Sequence, residues 1–223
     1  MLRVGLIVNP VAGIGGSVGL KGSDGKATRE KALALGATPL ANERVAQALS
    51  QLRDIQDSLR FITCSGSMGE QVLNKLGFEA HIAYQSPVET EAEDTQKAVT
   101  SLVAHGIDIL CFAGGDGTAR DIYSVVPEHL VVLRIPAGCK IHSGVYSLTP
   151  KSAGKIIHMM ASGELVSVQD ADVMDIDEDA FRQGVVKARR FGEMQVPSEL
   201  RYMQSVKMGG KESDELVLQD IAA

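Results

Sequence analysis

The 223-residue chain has no tryptophan and few aromatic side chains of any kind, which together make up 4% of it. It also has little cysteine: Cys64, Cys111 and Cys139 are an odd number, and no two of them are spaced as metal ligands are. No signal-peptide pattern is present, and a reducing compartment fits this cysteine usage best. We therefore expect a cytoplasmic protein rather than a disulfide-stabilised secreted one.

Basic charge and long apolar runs are missing as well. The chain has 22 basic and 28 acidic side chains and a formal net charge of −6, which does not suit a protein that coats nucleic acid. No apolar run approaches the ~20 residues that a membrane helix needs. We expect neither nucleic acid nor a membrane as a partner.

Glycine, in contrast, is in excess, with 23 residues, or about a tenth of the chain against an average of ~7%. Six of these glycines lie between residues 11 and 25, at positions 13, 15, 16, 19, 22 and 25. That density is too high for a regular element and predicts a loop that bends around a ligand. A flexible surface loop is the alternative.

Apolar segments of strand length alternate with helical patterns through the first two thirds of the chain. The strands are predicted at 2–8, 61–64, 81–84, 107–113 and 130–135, and the helices at 40–52, 68–76, 90–105 and 118–126. Parallel strands need a crossover between them, which a helix supplies. The pattern therefore predicts an α/β fold with a doubly wound parallel sheet, and ligands beyond the carboxyl ends of its strands.

The pattern changes after residue 149, where one helix at 151–162 is followed by candidate strands at 165–168, 173–176, 185–191 and 202–208. We predict a nucleotide-binding domain at 1–148 and part of a mostly β second domain at 149–223. The acidic segment 170–179 is interpreted as a solvated edge or turn rather than a metal site. Residues 213–223 begin like a helix but have no closing signal, which predicts a truncated second domain.

One five-residue segment, Gly114-Gly115-Asp116-Gly117-Thr118, stands between a predicted strand and a predicted helix. Its glycines let backbone N–H groups approach a phosphate, and the positive end of the helix favours the same anion. Phosphates repel an aspartate, so Asp116 fits a residue that accepts a proton from an attacking hydroxyl or holds Mg²⁺. A simple Asp-Gly turn is the alternative.

Two further loops are predicted at the same edge of the sheet. They read Asn9-Pro10-Val11-Ala12-Gly13 after the first strand and Ile135-Pro136-Ala137-Gly138-Cys139-Lys140 after the fifth. In order and context the three loops resemble the superfamily of NAD kinases and diacylglycerol or sphingoid lipid kinases. The segment 135–146, followed by Thr149-Pro150, resembles the ATP-NAD kinase branch.

The chain departs from both branches at particular motifs. The lipid kinases would show Gly-Thr-x-Asn where this chain has Gly138-Cys139-Lys140-Ile141. The Asn-Glu and Thr-Gly-Ser-Thr-Ala-Tyr motifs of the best-known NAD kinases are absent, and those motifs help to hold the dinucleotide. A non-catalytic nucleotide-binding protein and a kinase of another small alcohol or lipid therefore remain alternatives.

The resemblance implies roles for particular residues. Asp116 would activate the acceptor hydroxyl, which is the adenosine 2′-hydroxyl if the acceptor is NAD. The phosphates would be cradled by Gly114, Gly115, Gly117 and Thr118, and the other wall of the nucleotide cleft would be formed by Asn9, Gly13, Gly15 and Gly16. Lys140 would neutralise charge on the transferred phosphoryl group, and Ser143 would line the site.

The resemblance also implies the ligands. NAD and ATP would be the small-molecule partners, Mg²⁺ would come with ATP or polyphosphate as the donor, and no protein-held metal site is assigned. A homo-oligomer is expected.

Overall fold

The computed structural model describes residues 1–20, 26–137, 143–164, 167–176, 188–199 and 201–203. Five strands and the helices between them come first. The strands are β1 (Leu2–Val8), β2 (Leu59–Cys64), β3 (Ala80–Tyr84), β4 (Ile109–Gly114) and β5 (Val131–Pro136). The α-helices of this region are α1 (Ile14–Ser17), α2 (Lys26–Ala34), α3 (Ala41–Leu49), α4 (Glu70–Leu76), α5 (Ala92–Ala104) and α6 (Asp116–Tyr123), and 3₁₀ segments cover Ser50–Ser58 and Gly66–Met68.

The five strands form one parallel sheet in the order β3-β2-β1-β4-β5. Every residue of β4 and the last five residues of β1 are buried. Such continuous burial is expected because helices cover both faces of a parallel sheet. The predicted α/β fold is therefore confirmed, and the register brings Val8 of β1 opposite Ala113 of β4 at the carboxyl edge.

A seventh helix, α7 (Pro150–Ala161), follows the sheet. Thr149 caps it, since its Oγ1 accepts a hydrogen bond from the Ser152 N–H at 3.0 Å, and Pro150 occupies the first turn. The helix packs closely on α3, because a Cβ at Gly154 would lie 2.1 Å from the carbonyl oxygen of Ala48. The predicted boundary after residue 148 stays a prediction.

The strands β6 (Ser167–Ile176) and β7 (Ala188–Ser198) form a small antiparallel sheet. The prediction of two strands, 165–168 and 173–176, was wrong, since a single strand continues across the described part of both. The acids at 170–176 lie in this strand rather than in a turn. Asp172, for example, forms a salt bridge of 2.6 Å with Arg190 of β7, which explains how a strand tolerates this charge.

The glycine-rich segment also departs from its prediction, since Ile14–Ser17 forms the short helix α1. Ile14 is buried with Ala32 of α2, a helix that the apolar pattern did not indicate. Only Ala32 of α2 is buried, so its sequence has no apolar stripe. Most of the predicted strand 202–208 and all of the predicted helix 213–223 lie outside the described residues.

None of the helices in the described ranges is long and apolar enough to cross a membrane.

Two of the three cysteines are buried in the parallel sheet, Cys64 at 0% and Cys111 at 1% exposure. Burial raises the pKa of both thiols to about 12. Because only the thiolate is an effective nucleophile, we expect neither to react with a thiol reagent at pH 8. In a Cys139→Ser chain, the native protein should take up no label and the denatured protein two per chain. Rapid labelling of the native Cys139→Ser chain would contradict this burial.

Candidate active site

The loops after β1 and β4 meet at the carboxyl edge of the sheet. The Asn9 N–H donates to the carbonyl oxygen of Ala113 at 2.8 Å, which continues the pairing of the two strands. The Asn9 side chain then donates from Nδ2 to Oγ1 of Thr118 at 3.0 Å, and its Oδ1 accepts from the Val11 N–H at 3.2 Å. The first and second loops of the sequence pattern are thus in direct contact.

The two leading glycines of the second loop meet different surroundings. A Cβ on Gly114 would lie 2.5 Å from Cβ of Thr118, so this position accepts only glycine without a shift. A Cβ on Gly115 would meet no atom within 4 Å. The space beside Gly115 is therefore open, as a loop that receives a ligand requires.

Helix α6 begins at Asp116, two residues before the predicted start, with Gly115 as its N-cap. Asp116, Gly117 and Thr118 consequently form its first turn, where backbone N–H groups point out of the helix and an acidic side chain is favourable. Both Asp116 and Thr118 are buried. The loop and the helix together place the N–H groups of the first helical turn and a carboxylate at one edge of the sheet.

The other predicted glycines lie in the segment after β1. Gly13 has φ +77° and caps α1, a left-handed conformation that favours glycine. Gly15 and Gly16 lie within α1. Of the predicted residues in this segment, Asn9 is brought to the second loop by its hydrogen bond to Thr118.

Arg134 of β5, which was not among the predicted site residues, forms an ion pair with Asp116. Its Nη1 donates to Oδ1 of Asp116 at 2.7 Å, and its Nε donates to the carbonyl oxygen of Gly114 at 2.8 Å. The Arg134 side chain is fully buried, and Asp116 is 8% exposed. Burial lowers the pKa of the Arg134 guanidinium, and the charge of Asp116 opposes that shift.

Ser143 adds a second hydrogen bond to the same carboxylate. Its N–H donates to Oδ1 of Asp116 at 3.3 Å. Its hydroxyl donates to the carbonyl oxygen of Met174 at 2.8 Å and accepts from the Met174 N–H at 3.0 Å. The predicted site residue Ser143 therefore lies at the site, where it connects Asp116 to strand β6.

Helix α6 and the small sheet are joined by further contacts. Arg120 forms an ion pair with Asp175 at 3.0 Å and lies over the ring of Phe191 at 5.6 Å. Tyr123 packs so closely on β7 that a Cβ at Gly192 would lie 2.1 Å from its hydroxyl oxygen. The helix that begins with Asp116 is thus fixed by the antiparallel strands.

A signal for Arg134 was present in the sequence. It is a single charge within the apolar run Val131-Val132-Leu133-Arg134-Ile135, and a parallel strand of that kind is buried on both faces. A buried charge requires a partner of opposite sign. An acidic residue at the end of a neighbouring strand would have been the natural candidate. Lys140 lies outside the described residues.

Within the described part of the chain, no three His, Cys, Asp or Glu side chains are grouped as metal ligands. Mg²⁺ is commonly held by one or two carboxylates together with substrate phosphates. A single carboxylate, Asp116, beside an open glycine loop fits that arrangement. The donor set thus suits an ion that arrives with a nucleotide.

The parallel sheet and the glycine loop at its carboxyl edge define an α/β protein in which a helix begins at that edge, a position that favours anions. A family model described as the ATP-NAD kinase N-terminal domain matches residues 4–165, which is most of the chain. The chain therefore belongs to the ATP-NAD kinase family. A search of curated proteins finds no match.

The two glycines provide a matched test of the loop geometry. We expect Gly114→Ala to lower the free energy of unfolding by about 1–3 kcal/mol, because the new methyl group overlaps Thr118. Gly115→Ala should change it by less than about 0.5 kcal/mol, because the methyl group enters open space and φ is −87°. Urea unfolding of the two variants measures both values, and equal destabilisation would contradict the geometry.

Proposed function

We propose that the protein transfers a phosphoryl group from ATP, or from polyphosphate, to the 2′-hydroxyl of the adenosine ribose of NAD, and so forms NADP. The observation that supports this proposal most is the placement of Asp116. Its carboxylate is buried at the carboxyl edge of the sheet and adjoins a glycine loop with open space beside it. The membership of the ATP-NAD kinase family supports a kinase, and the acceptor is the proposed part.

In the proposed reaction, the acceptor oxygen attacks the terminal phosphorus of the donor. A new P–O bond forms to the ribose oxygen, the bond between the terminal phosphorus and its bridging oxygen breaks to release ADP or the shortened polyphosphate, and Asp116 accepts the hydroxyl proton. Phosphoryl transfer depends mainly on positioning and on stabilising charge on the phosphoryl oxygens. The N–H groups of Gly115, Gly117 and Thr118 are proposed to bind phosphate oxygens.

Three further groups complete the proposal. Mg²⁺, bound with the donor phosphates beside Asp116, would supply additional positive charge to them. Lys140 would neutralise the charge that develops on the transferred group. Ser143 would act through its N–H, which helps to orient the Asp116 carboxylate.

A second candidate function, nucleotide binding without turnover, is favoured by one observation. The Asp116 carboxylate is already engaged in a short ion pair with Arg134 at 2.7 Å. Oδ1 of this carboxylate thus already accepts hydrogen bonds from Arg134 Nη1 and the Ser143 N–H rather than from an acceptor hydroxyl. Binding of NAD and ATP without product would support this alternative.

The reaction is tested with an isosteric substitution of the proposed base. We expect Asp116→Asn to lower NADP formation from NAD, ATP and Mg²⁺ by at least about 100-fold, because the amide cannot accept the proton. The exposed Asp57→Asn, which makes the same change elsewhere, should leave the rate unaltered. The measurement is NADP detected by a coupled dehydrogenase.

Three outcomes separate the candidates. NADP formed by the wild type and lost in Asp116→Asn supports the kinase. A wild type that binds both nucleotides but forms no NADP supports the non-catalytic alternative. Wild-type rates in Asp116→Asn would contradict the role of Asp116.

The open space at Gly115 also leads to a prediction about ATP binding. Gly115→Ala should weaken ATP binding by about tenfold, since a methyl group would stand where the phosphates approach the backbone. Calorimetric titration with Mg²⁺-ATP measures the change, with Ser58→Ala, at an exposed residue, as the control. Unchanged affinity in Gly115→Ala would show that the phosphates bind elsewhere.

A further inference from the structure

The Arg134 guanidinium holds two groups of the same loop. Nε binds the carbonyl oxygen of Gly114, and Nη1 binds the carboxylate of Asp116. These acceptors stand immediately before and after Gly115, the residue beside the open space. One planar side chain therefore fixes the carboxylate relative to the backbone of the proposed phosphate loop.

The base of this side chain is itself rigid. The Arg134 N–H donates to the carbonyl oxygen of Val145 at 3.1 Å, and the Arg134 carbonyl oxygen accepts from the N–H and the hydroxyl of Ser147, each at 3.2 Å. The guanidinium also lies over the ring of Tyr146 at 5.9 Å. The guanidinium is thus carried by a strand that is hydrogen-bonded to β4 on one side and to Val145 and Ser147 on the other.

Stability alone gives a poor account of this arginine. A buried ion pair adds little stability over well-packed apolar residues, because both charges must leave water. Nη2 of Arg134 is moreover buried with no hydrogen-bond partner in the described part of the chain, which is a further cost. The geometry of the Arg134 guanidinium, in contrast, suits a role in orienting the groups that it binds, since a guanidinium presents several donors in a fixed plane.

We propose that Arg134 is a positioning residue for phosphoryl transfer: its fork between Gly114 and Asp116 sets the direction of the carboxylate toward the acceptor hydroxyl. This inference rests on the proposed function. It concerns turnover more than nucleotide affinity, because the fully buried guanidinium has no exposed surface with which to contact a nucleotide. If Arg134 had only a structural role, its substitution would lower the stability of the fold without a selective effect on kcat.

The test compares Arg134→Gln and Arg134→Lys with the exposed strand residue Arg60→Gln as control. Arg134→Gln should lower kcat about 100-fold, the loss expected when a reacting group is misplaced by about 1 Å. KM for NAD and ATP should change by less than about threefold. Arg134→Lys should lower kcat about tenfold, because an ammonium keeps the charge beside Asp116 without the planar fork. Arg60→Gln should match the wild type.

Calorimetric ATP binding at one site per chain, and thermal unfolding well above the assay temperature, show that a variant is folded. If Arg134→Gln does not fold, Arg134→Lys decides: a tenfold loss in kcat supports the inference, and a wild-type kcat overturns it. An active wild type with equally active Arg134 variants would overturn the inference alone. A wild type that forms no NADP would overturn the proposed function, and this inference with it.

Discussion

The buried ion pair between Arg134 and Asp116 is the constraint on which the arrangement of the site depends. Neither charge can remain unpaired in the interior of a sheet, and removal of one partner of such a pair typically costs about 3–5 kcal/mol. The Arg134 side chain starts on β5, and its two acceptors lie at the end of β4 and the start of α6. The pair therefore fixes the glycine loop between these elements.

The sheet order brings the remaining parts to this pair. Because β1 and β4 are neighbours, Asn9 reaches Thr118 on the first turn of α6. Ser143 donates its N–H to the same carboxylate oxygen as Arg134 and connects Asp116 to β6 through two hydrogen bonds with Met174. The carboxylate thus lies where the parallel sheet and the small antiparallel sheet meet, and the second sheet helps to position it.

The sequence was sufficient to predict the parallel sheet, because buried strands such as β4 are continuous apolar runs and glycines mark the ends of helices. It also indicated the loop with Asp116, since glycines between a strand and a helix have few structural uses. It did not predict α2, whose single buried residue is Ala32, or the continuous strand β6, whose acids are balanced by Arg190 and other partners distant in sequence. Arg134 was missed for a related reason: its role depends on a contact with a residue 18 positions earlier, which periodicity does not indicate.

The most direct measurement of the central claim is a crystal structure of the chain with NAD and a non-hydrolysable ATP analogue. We expect the ribose 2′-hydroxyl of NAD within hydrogen-bond distance of the Asp116 carboxylate, the analogue's phosphates against Gly115, and the Arg134–Asp116 pair intact. Nucleotides bound away from this edge of the sheet, or an acceptor hydroxyl directed away from Asp116, would contradict it.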